Sequence, residues 1–302
     1  MKLINVAPDL YLLPLDQDLP GFTSFISAWI YRGKKTILVD VGPAATIPLL
    51  VRSLNELGVK RPDTILLTHI HIDHAGGIGE MAALFPDTPI VCHETGIRHL
   101  VDPSRLWEGS LKTLGKTAQA YGPFRPVPAE CLNDASSISE QGVFPVMTPG
   151  HAPHHVSYFI DSCLFAGEAG GVFIQVPESD DYLRPATPPR LFFETYMNSV
   201  DKLIKAKPSM ICYSHFGVHK DPVRMLNTHR KQLVLWRNII EDEMARLHVI
   251  DDEDVVDNCL SRLLKEDSCL KHLSHMDRAV QEREKGFLKN SIKGFTGYLR
   301  DL

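Results

Sequence analysis

Thr68-His69-Ile70-His71-Ile72-Asp73-His74-Ala75-Gly76-Gly77 places three imidazoles and one carboxylate within six residues. The run follows Thr64-Ile65-Leu66-Leu67, which reads as a buried strand, and precedes a helical pattern from Ile78 to Leu84. Side chains two apart in extended backbone point to the same side, so His69 and His71 converge. Asp73 and His74 follow where the chain turns, which lets them reach a second nearby point. Imidazole and carboxylate together are a donor set for zinc, iron or manganese. Such a cluster at a strand-to-loop junction reads as a metal site rather than as a histidine-rich surface loop.

Working outward, the opening third reads as strands at Leu10–Leu13, Phe22–Tyr31 and Thr36–Asp40, with Arg32-Gly33-Lys34-Lys35 as a hairpin turn. A helix is expected from Asp40-Val41-Gly42-Pro43 to Leu57, with Gly58 as its C-cap. Pro89–Cys92 is another short strand, ending at His93, which suits either a capping or a substrate-contacting role. From His99 to Pro128 the chain is rich in Gly, Pro and turn residues, and it is expected to be an irregular excursion that walls or covers the site. Strands resume at Val143–Met147, Val156–Ile160 and Cys163–Ala166. A helix follows at Pro188–Lys205 and a last strand at Ser209–Tyr213. Two β-then-α halves, Leu10–His93 and Val127–Tyr213, thus succeed one another, and sheets between helices are the natural way to bury both.

After His219 the texture changes. Asp221-Pro222 is a helix start, with Asp as N-cap and Pro at the first helical position. Leu226, Leu233, Trp236, Ile240, Met244 and Leu247 then recur at helical spacing. Val256, Leu260, Leu263 and Leu264 form a second such face, and Leu288, Ile292, Phe295 and Leu299 a third. The expected organisation is one domain over residues 1–219 with a helical extension over 220–302 packed on it. The basic residues Arg283, Lys285, Lys289, Lys293 and Arg300 read as a solvated face of this tail. His219, His229, His248, His272 and His275 lack ligand spacing and read as surface or packing residues.

The 302 residues suffice for one large domain or two modest ones, and 44% hydrophobic with 23% charged residues suits a soluble globular protein. A net charge of -5 offers no basic footprint, which argues against a nucleic-acid partner. No window approaches the roughly 18-residue apolar span of a membrane helix. Cys92, Cys131, Cys163, Cys212, Cys259 and Cys269 are scattered without a CxxC pair and read as buried free thiols. Met1 to Asp9 lack the apolar core of a signal peptide, so a cytoplasmic location is expected.

A second metal needs further donors, and three strand ends offer them. His151 closes Thr148-Pro149-Gly150-His151, Glu168 closes Ala166-Gly167-Glu168, and His215 sits in Tyr213-Ser214-His215-Phe216-Gly217. Each pairs an apolar strand with one ligand-type residue and a nearby Gly that lets the backbone turn.

This order resembles the metallo-β-lactamase-fold superfamily of metallohydrolases over about Leu10 to His219. Asp40-Val41-Gly42 is similar to the family's first motif and His69-x-His71-x-Asp73-His74 to its second, while His151, Glu168 and His215 stand at the third, fourth and fifth. The resemblance implies an α/β fold, a four-layer αββα sandwich with a C-terminal helical extension. It implies two divalent metal ions at one edge of the paired sheets, zinc favoured, with iron or manganese as alternatives. His69, His71 and His151 would hold one ion, Asp73, His74 and His215 the other, and Glu168 would bridge them, with Asp40 orienting a ligand from behind. Glu168 stands where the family usually has Asp, and its extra methylene leaves open a hold on one metal alone. His154 replaces a Gly in Pro153-His154-His155, and both histidines are open to a supporting or a structural role. The runs Glu168-Ala169-Gly170-Gly171 and His99-Leu100-Val101-Asp102-Pro103 are similar to those of uncharacterised archaeal and bacterial hydrolases of this fold. Homodimers are common in the fold.

Two metals roughly 3.5–4 Å apart hold a hydroxide between them and polarise a substrate oxygen. Coordination also brings the pKa of bound water toward about 7. Asp73 is the catalytic candidate, placed to orient that water and then receive a proton. The expected activity is hydrolysis of a small-molecule ester, thioester or lactone. The helical tail is similar to that of glyoxalase-II-like thioesterases, although their substrate-binding residues find no match here. Two other readings stand beside it: iron-dependent oxidation of a persulfide, as in relatives resembling sulfur dioxygenases, and a non-catalytic binding member of the fold.

Overall fold

Strands whose apolar residues run without a break are those buried on both faces, and this chain has two sets of them. The computed structural model describes residues 3–138, 142–176, 181–246 and 252–302. β1 (Ile4–Ala7), β2 (Leu10–Pro14), β3 (Ser27–Arg32), β4 (Thr36–Val39), β5 (Thr64–Leu66), β6 (Ile90–Cys92) and β7 (Leu132–Asp134) form one sheet in that order. It is antiparallel up to β4 and parallel from β4 to β7. β8 (Val143–Met147), β9 (Val156–Ile160) and β10 (Cys163–Gly167) belong to a second sheet. β11 (Val172–Ile174) and β12 (Tyr182–Arg184) pair with each other. β13 (Met210–Tyr213) and β14 (Gly217–His219) complete the second sheet, β13 running parallel to β10.

The period-two alternation of strand side chains sorts each strand into two cores. Trp29, Val39, Leu66 and Val91 of the first sheet meet Tyr158, Phe165 and Cys212 of the second between the sheets. Their strand neighbours Ile30, Leu38, Ile65 and Ile90 face outward against α1 (Ile47–Glu56), α2 (Ile72–Ala75) and α3 (Ile78–Leu84). Outside the second sheet, Phe159, Leu164 and Ile211 pack against Leu203, Met225 and Leu226 of the later helices. Helices therefore cover both outer faces, the αββα arrangement expected. Trp29 Nε1 donates to the Tyr213 carbonyl at 3.0 Å and the Ser27 N–H to the Ser214 carbonyl at 2.9 Å, tying the sheets together beside the ligand-bearing ends.

Several expectations need correction. Residues 99–128 are not irregular: α4 (Glu94–Val101), α5 (Ser104–Leu114) and α6 (Lys116–Tyr121) occupy most of them. Gly115 and Gly122, at φ 54° and 86°, end those helices in the left-handed backbone that glycine accepts freely. The segment Phe22–Tyr31 is strand only from Ser27, because Phe22 and Phe25 turn off the sheet edge into an aromatic cluster with Tyr121 and Phe287. The helix expected from Pro188 begins at Phe193, as α7 (Phe193–Lys205).

The tail forms α8 (Pro222–Arg246), α9 (Asp252–Glu266) and α10 (Arg278–Arg300), and Asp221 Oδ1 accepts the Arg224 N–H at 3.2 Å as the N-cap of α8. Leu247 and His248 lie outside the described residues. Leu233, Trp236, Leu263, Leu288, Ile292 and Phe295 share one core with Tyr182, Phe193, Tyr196 and Val200. Arg283 departs from the solvated basic face: its side chain is 3% exposed, while Lys285 and Lys289 are more than two-fifths exposed. All six cysteines are free thiols, four of them buried. Among the described residues, no helix is long and apolar enough to cross a membrane.

Candidate metal centre

Every candidate ligand stands beyond the end of a strand or on the short helix that follows β5, so the sandwich itself brings residues 40 to 215 to one edge. Asp40 follows β4 in left-handed backbone, φ 56°, a conformation Asp tolerates. Its buried carboxylate accepts four hydrogen bonds: the Thr68 N–H (2.8 Å), Thr68 Oγ1 (2.9 Å), Ser214 Oγ (2.9 Å) and His74 Nδ1 (3.0 Å). An ionised carboxylate offers about four lone-pair positions, so Asp40 is saturated. With Nδ1–H committed there, His74 turns Nε2 forward, and that atom is buried without a hydrogen-bond partner.

The other imidazoles are oriented by the same logic. His151 Nδ1 donates to the Ala186 carbonyl (2.9 Å) and His215 Nδ1 to the Phe25 carbonyl (3.3 Å), leaving each Nε2 bare. His69 Nδ1 faces Thr68 Oγ1 at 3.1 Å, whose own proton goes to Asp40. His71 caps α2 in extended backbone and presents Nδ1. The result is two clusters of converging donor atoms, His69, His71, His151 with Glu168, and Asp73, His74 with His215.

In the first cluster, His71 Nδ1 lies 3.0 Å from His69 Nε2 and 2.9 Å from His151 Nε2, while Glu168 Oε2 lies 2.7 Å from His151 Nε2 and 3.3 Å from His69 Nε2. A tetrahedral ion with bonds of about 2.0–2.1 Å has ligand edges of roughly 3.3–3.4 Å. In the second, Asp73 Oδ2 lies 3.5 Å from His74 Nε2 and 3.4 Å from His215 Nε2. Glu168 faces both: Oε1 lies 3.4 Å from His215 Nε2, and Oε2 lies 3.6 Å from His74 Nε2. Bare nitrogens and carboxylate oxygens aimed at common points, with an orphaned buried Nε2 among them, fit a divalent cation.

The electrostatics make the same demand. Burial, reinforced by the neighbouring imidazoles, holds His69 well below its ordinary pKa and His71 down at about 3, so both keep open lone pairs. Burial would also lower His74, but the Asp73 and Asp40 carboxylates overcome it and hold His74 well above the usual value. Burial would raise Asp73 and Glu168, yet the imidazoles of His74 and His215 keep the first ionised, and those of His151 and His215 the second. The cluster therefore calls for positive charge at its centre.

Three further histidines can now be placed. His155 Nε2 accepts the Glu168 N–H at 3.0 Å, and its Nδ1 faces Thr148 Oγ1 at 2.8 Å, so it holds the backbone that carries Glu168. Gly167, at φ 57°, is required beside it, since a Cβ there would lie 2.3 Å from His155 Nε2. His154 stacks over His69 at 6.2 Å with Nδ1 buried and unpartnered, outside both clusters. His93 is the N-cap of α4, its Nδ1 accepting the Thr95 N–H at 3.2 Å. His229, read as a packing residue, is buried and faces the Tyr196 hydroxyl at 3.2 Å, and that hydroxyl donates to the Glu168 carbonyl at 2.6 Å.

A cavity of about 450 Å³ opens over the two clusters. Phe25, Tyr121 and Phe287 line one side, and Leu106, Ser110 and Leu114 of α5 another. Pro188 and Pro189 contribute from the loop after β12, and Asn290 and Ser291 from α10. The wall expected from residues 99–128 is present, but as helix. Arg184, Phe287 and Asn290 were not foreseen as lining residues, because no spacing links them to the histidines.

An αββα sandwich with this imidazole and carboxylate cluster at one edge defines a metallohydrolase of the β-lactamase fold. A sequence model of the Metallo-beta-lactamase superfamily matches residues 21–215, a span that includes all seven candidate ligands, and the chain belongs to that superfamily. It is 26% identical over 225 residues to a metallo-beta-lactamase fold-containing protein of Sulfurisphaera tokodaii, covering 70% of this chain and 80% of that one. It is 27% identical over 240 residues to a probable metallo-hydrolase of Bacillus subtilis, covering 71% and 91%. A hydroxyacylglutathione hydrolase of Yersinia pestis is 28% identical over 142 residues, covering 46% of this chain and 45% of that enzyme. The crystal structure of a metallo-beta-lactamase family protein from Thermus thermophilus superposes with a TM-score of 0.64 at 23% identity, covering 98% of this chain and 95% of that one. The chain is thus a metal-binding hydrolase by family.

Proposed function

We propose that this hydrolase works with two zinc ions on a small ester, thioester or lactone. The observation that carries the reading is Glu168, whose two oxygens face the histidines of both clusters at once. A Glu in place of the family's usual Asp therefore still suits a shared ligand, because Gly167 and His155 set its backbone where the longer side chain reaches both. Bound divalent ions supply Lewis acidity, polarising an acyl oxygen and acidifying water.

The chain's own groups do the rest. Asp73 is the more open of the two site carboxylates, 20% exposed against 7% for Glu168. Its place in the cavity wall suits it to take a proton from the attacking water and pass it to the departing oxygen or sulfur. Phe25, Leu106 and Phe287 exclude water around an apolar acyl group. The likeness to hydroxyacylglutathione hydrolase lends weight to thioesters, over less than half of each chain.

The test is elemental analysis of protein purified without chelator, paired with a panel of aryl esters, aryl thioesters and lactones. About two zinc ions per chain, with metal-dependent hydrolysis in at least one class, is the expected outcome. One iron per chain with oxygen uptake in the presence of a thiol persulfide, and no acyl hydrolysis, would overturn it.

A further inference from the structure

Beside the cavity lies a buried charge arrangement that neither ligand cluster uses. Arg184 ends β12, Arg283 and Glu284 lie on α10, and none of the three side chains is more than 3% exposed. Arg184 Nε donates to Glu284 Oε2 at 2.5 Å, and the Tyr182 hydroxyl donates to the same oxygen at 3.0 Å. Arg283 Nε and Nη2 reach Glu284 Oε1 at 3.0 and 2.9 Å. Two guanidinium groups thus share one carboxylate, and the triad keeps a net positive charge out of water. Buried charge is costly unless an opposite charge completes it.

Arg283 has all three of its guanidinium nitrogens engaged. It also donates to the Gly21 carbonyl, and its guanidinium carbon sits 3.8 Å from the centre of the Phe25 ring. Arg184 is different. Its Nη1 donates to the Pro185 carbonyl at 3.3 Å, its Nη2 has no hydrogen bond to a described residue, its guanidinium carbon lies 5.1 Å from the centre of the Phe287 ring, and the residue lines the cavity. Glu168 contributes charge nearby, but its oxygens are committed to the imidazoles of both clusters. Arg105, at the cavity rim, is exposed, and an ion pair formed in water is worth little.

We propose that Arg184 binds an anionic substituent of the substrate, a carboxylate on the acyl chain away from the scissile bond, and that Glu284 is its positioning residue. The planar donor fork of a guanidinium matches a carboxylate, and the apolar surfaces of Phe25 and Phe287 take the chain between the two ends. This rests on the hydrolase reading above and adds a substrate class to it: monoanionic acyl esters, thioesters or lactones.

The test uses the metal-loaded full chain and two phenyl thioesters with acyl chains of equal carbon count, the glutaryl monothioester, which carries a carboxylate, and the neutral valeryl thioester. The kcat/KM ratio of glutaryl to valeryl is expected at about ten or more, the scale of a charge-assisted hydrogen bond. Arg184→Met brings the ratio near one, Arg184→Lys gives an intermediate value, and Glu284→Gln lowers it, a shift in selectivity that a merely structural role would not produce. A ratio near one in the unaltered protein, or one unchanged by Arg184→Met, overturns the proposal. Calorimetric binding of glutarate against valerate separates the two levels, because both present one carboxylate to the floor and only glutarate has a second. Tighter glutarate binding, abolished in Arg184→Met, with no turnover of either thioester, keeps the Arg184 site and overturns only the hydrolase reading. Equal binding of the two acids to the unaltered protein overturns the site and needs no variant to fold.

Discussion

Replacing Asp40 by Asn isolates a single proton. Asn accepts the left-handed backbone at this position (φ 56°) nearly as well as Asp and matches its shape, so neither strain nor a cavity is introduced. What changes is the hydrogen-bond character of the second oxygen. In the native protein Oδ1 accepts the Thr68 N–H, and Oδ2 accepts Thr68 Oγ1–H, Ser214 Oγ–H and His74 Nδ1–H. An amide NH2 in place of Oδ2 is a donor facing donors. His74 relieves the conflict by keeping its proton on Nε2 and accepting at Nδ1, which leaves a hydrogen on the atom that a cation in the second cluster needs bare. Losing a partner behind a metal-binding histidine typically weakens affinity ten- to a hundredfold, about 1.4–2.7 kcal/mol. Thr68 keeps Oδ1 as the acceptor for its N–H and, at 3.1 Å, for its hydroxyl, so the His69, His71 and His151 cluster is much less affected. The assay is titration of metal-free protein with zinc against a chromogenic chelator, which resolves two constants. One constant is expected to weaken by one to two decades while the other moves by no more than about threefold. If the Asp40→Asn variant holds both ions with native affinity, or loses both equally, then Asp40 does not act through the His74 tautomer.

Two more expectations follow from packing and burial. On α10, a Cβ at Gly294 would lie 2.0 Å from the Thr187 carbonyl oxygen, whereas one at Gly297 meets nothing within 4 Å. Gly294→Ala should therefore lower stability by about 1–2 kcal/mol and weaken substrate binding, since Thr187 lines the cavity, while Gly297→Ala should raise stability by up to about 1 kcal/mol; urea unfolding of both variants checks the pair. Burial lowers the His229 pKa from 6.5 to about 3, so between those values the unfolded chain binds a proton that the folded one refuses, and the stability contribution present above pH 6.5 is lost progressively as pH falls. From pH 6.5 to 5 that loss is about 1.6 kcal/mol, and His229→Gln should remove it; equal losses in both proteins, measured by urea midpoints at the two pH values, would contradict the assignment.

The candidate donor cluster was legible because its determinants are local. An apolar run, a turn-permitting Gly and a donor residue lie within a few positions of one another at Thr64–His74, Val143–His151, Cys163–Glu168 and Met210–His215. The orientation of those donors was less so. Asp40 was foreseen as a supporting group, but the Ser214 and Thr68 bonds that saturate it join residues from three separate strand ends. The helices of residues 94–121 were hidden by their glycines, which mark helix ends at 115 and 122 rather than disorderly chain. Strands such as β7, β11, β12 and β14 have three residues each, too few for a period of two to register. Arg283 was read as surface because a helix face looks basic in sequence, and only the fold shows Glu284 and Phe25 waiting for it. Arg184 and Glu284 lie a hundred positions apart, and no pattern within a window connects them.

The position of α10 in the chain bears on how the protein is made. The last candidate ligand is residue 215, but the helix that closes the chamber supplies Phe287, Asn290 and Ser291 about seventy residues later. At about 5–20 residues per second, a ribosome needs several seconds to cover that distance. During this interval Phe25 lacks Phe287, the ring that stacks on it. A message cut short ahead of α10 would therefore yield a product whose chamber lacks one wall and whose tail core has lost Leu288, Ile292 and Phe295.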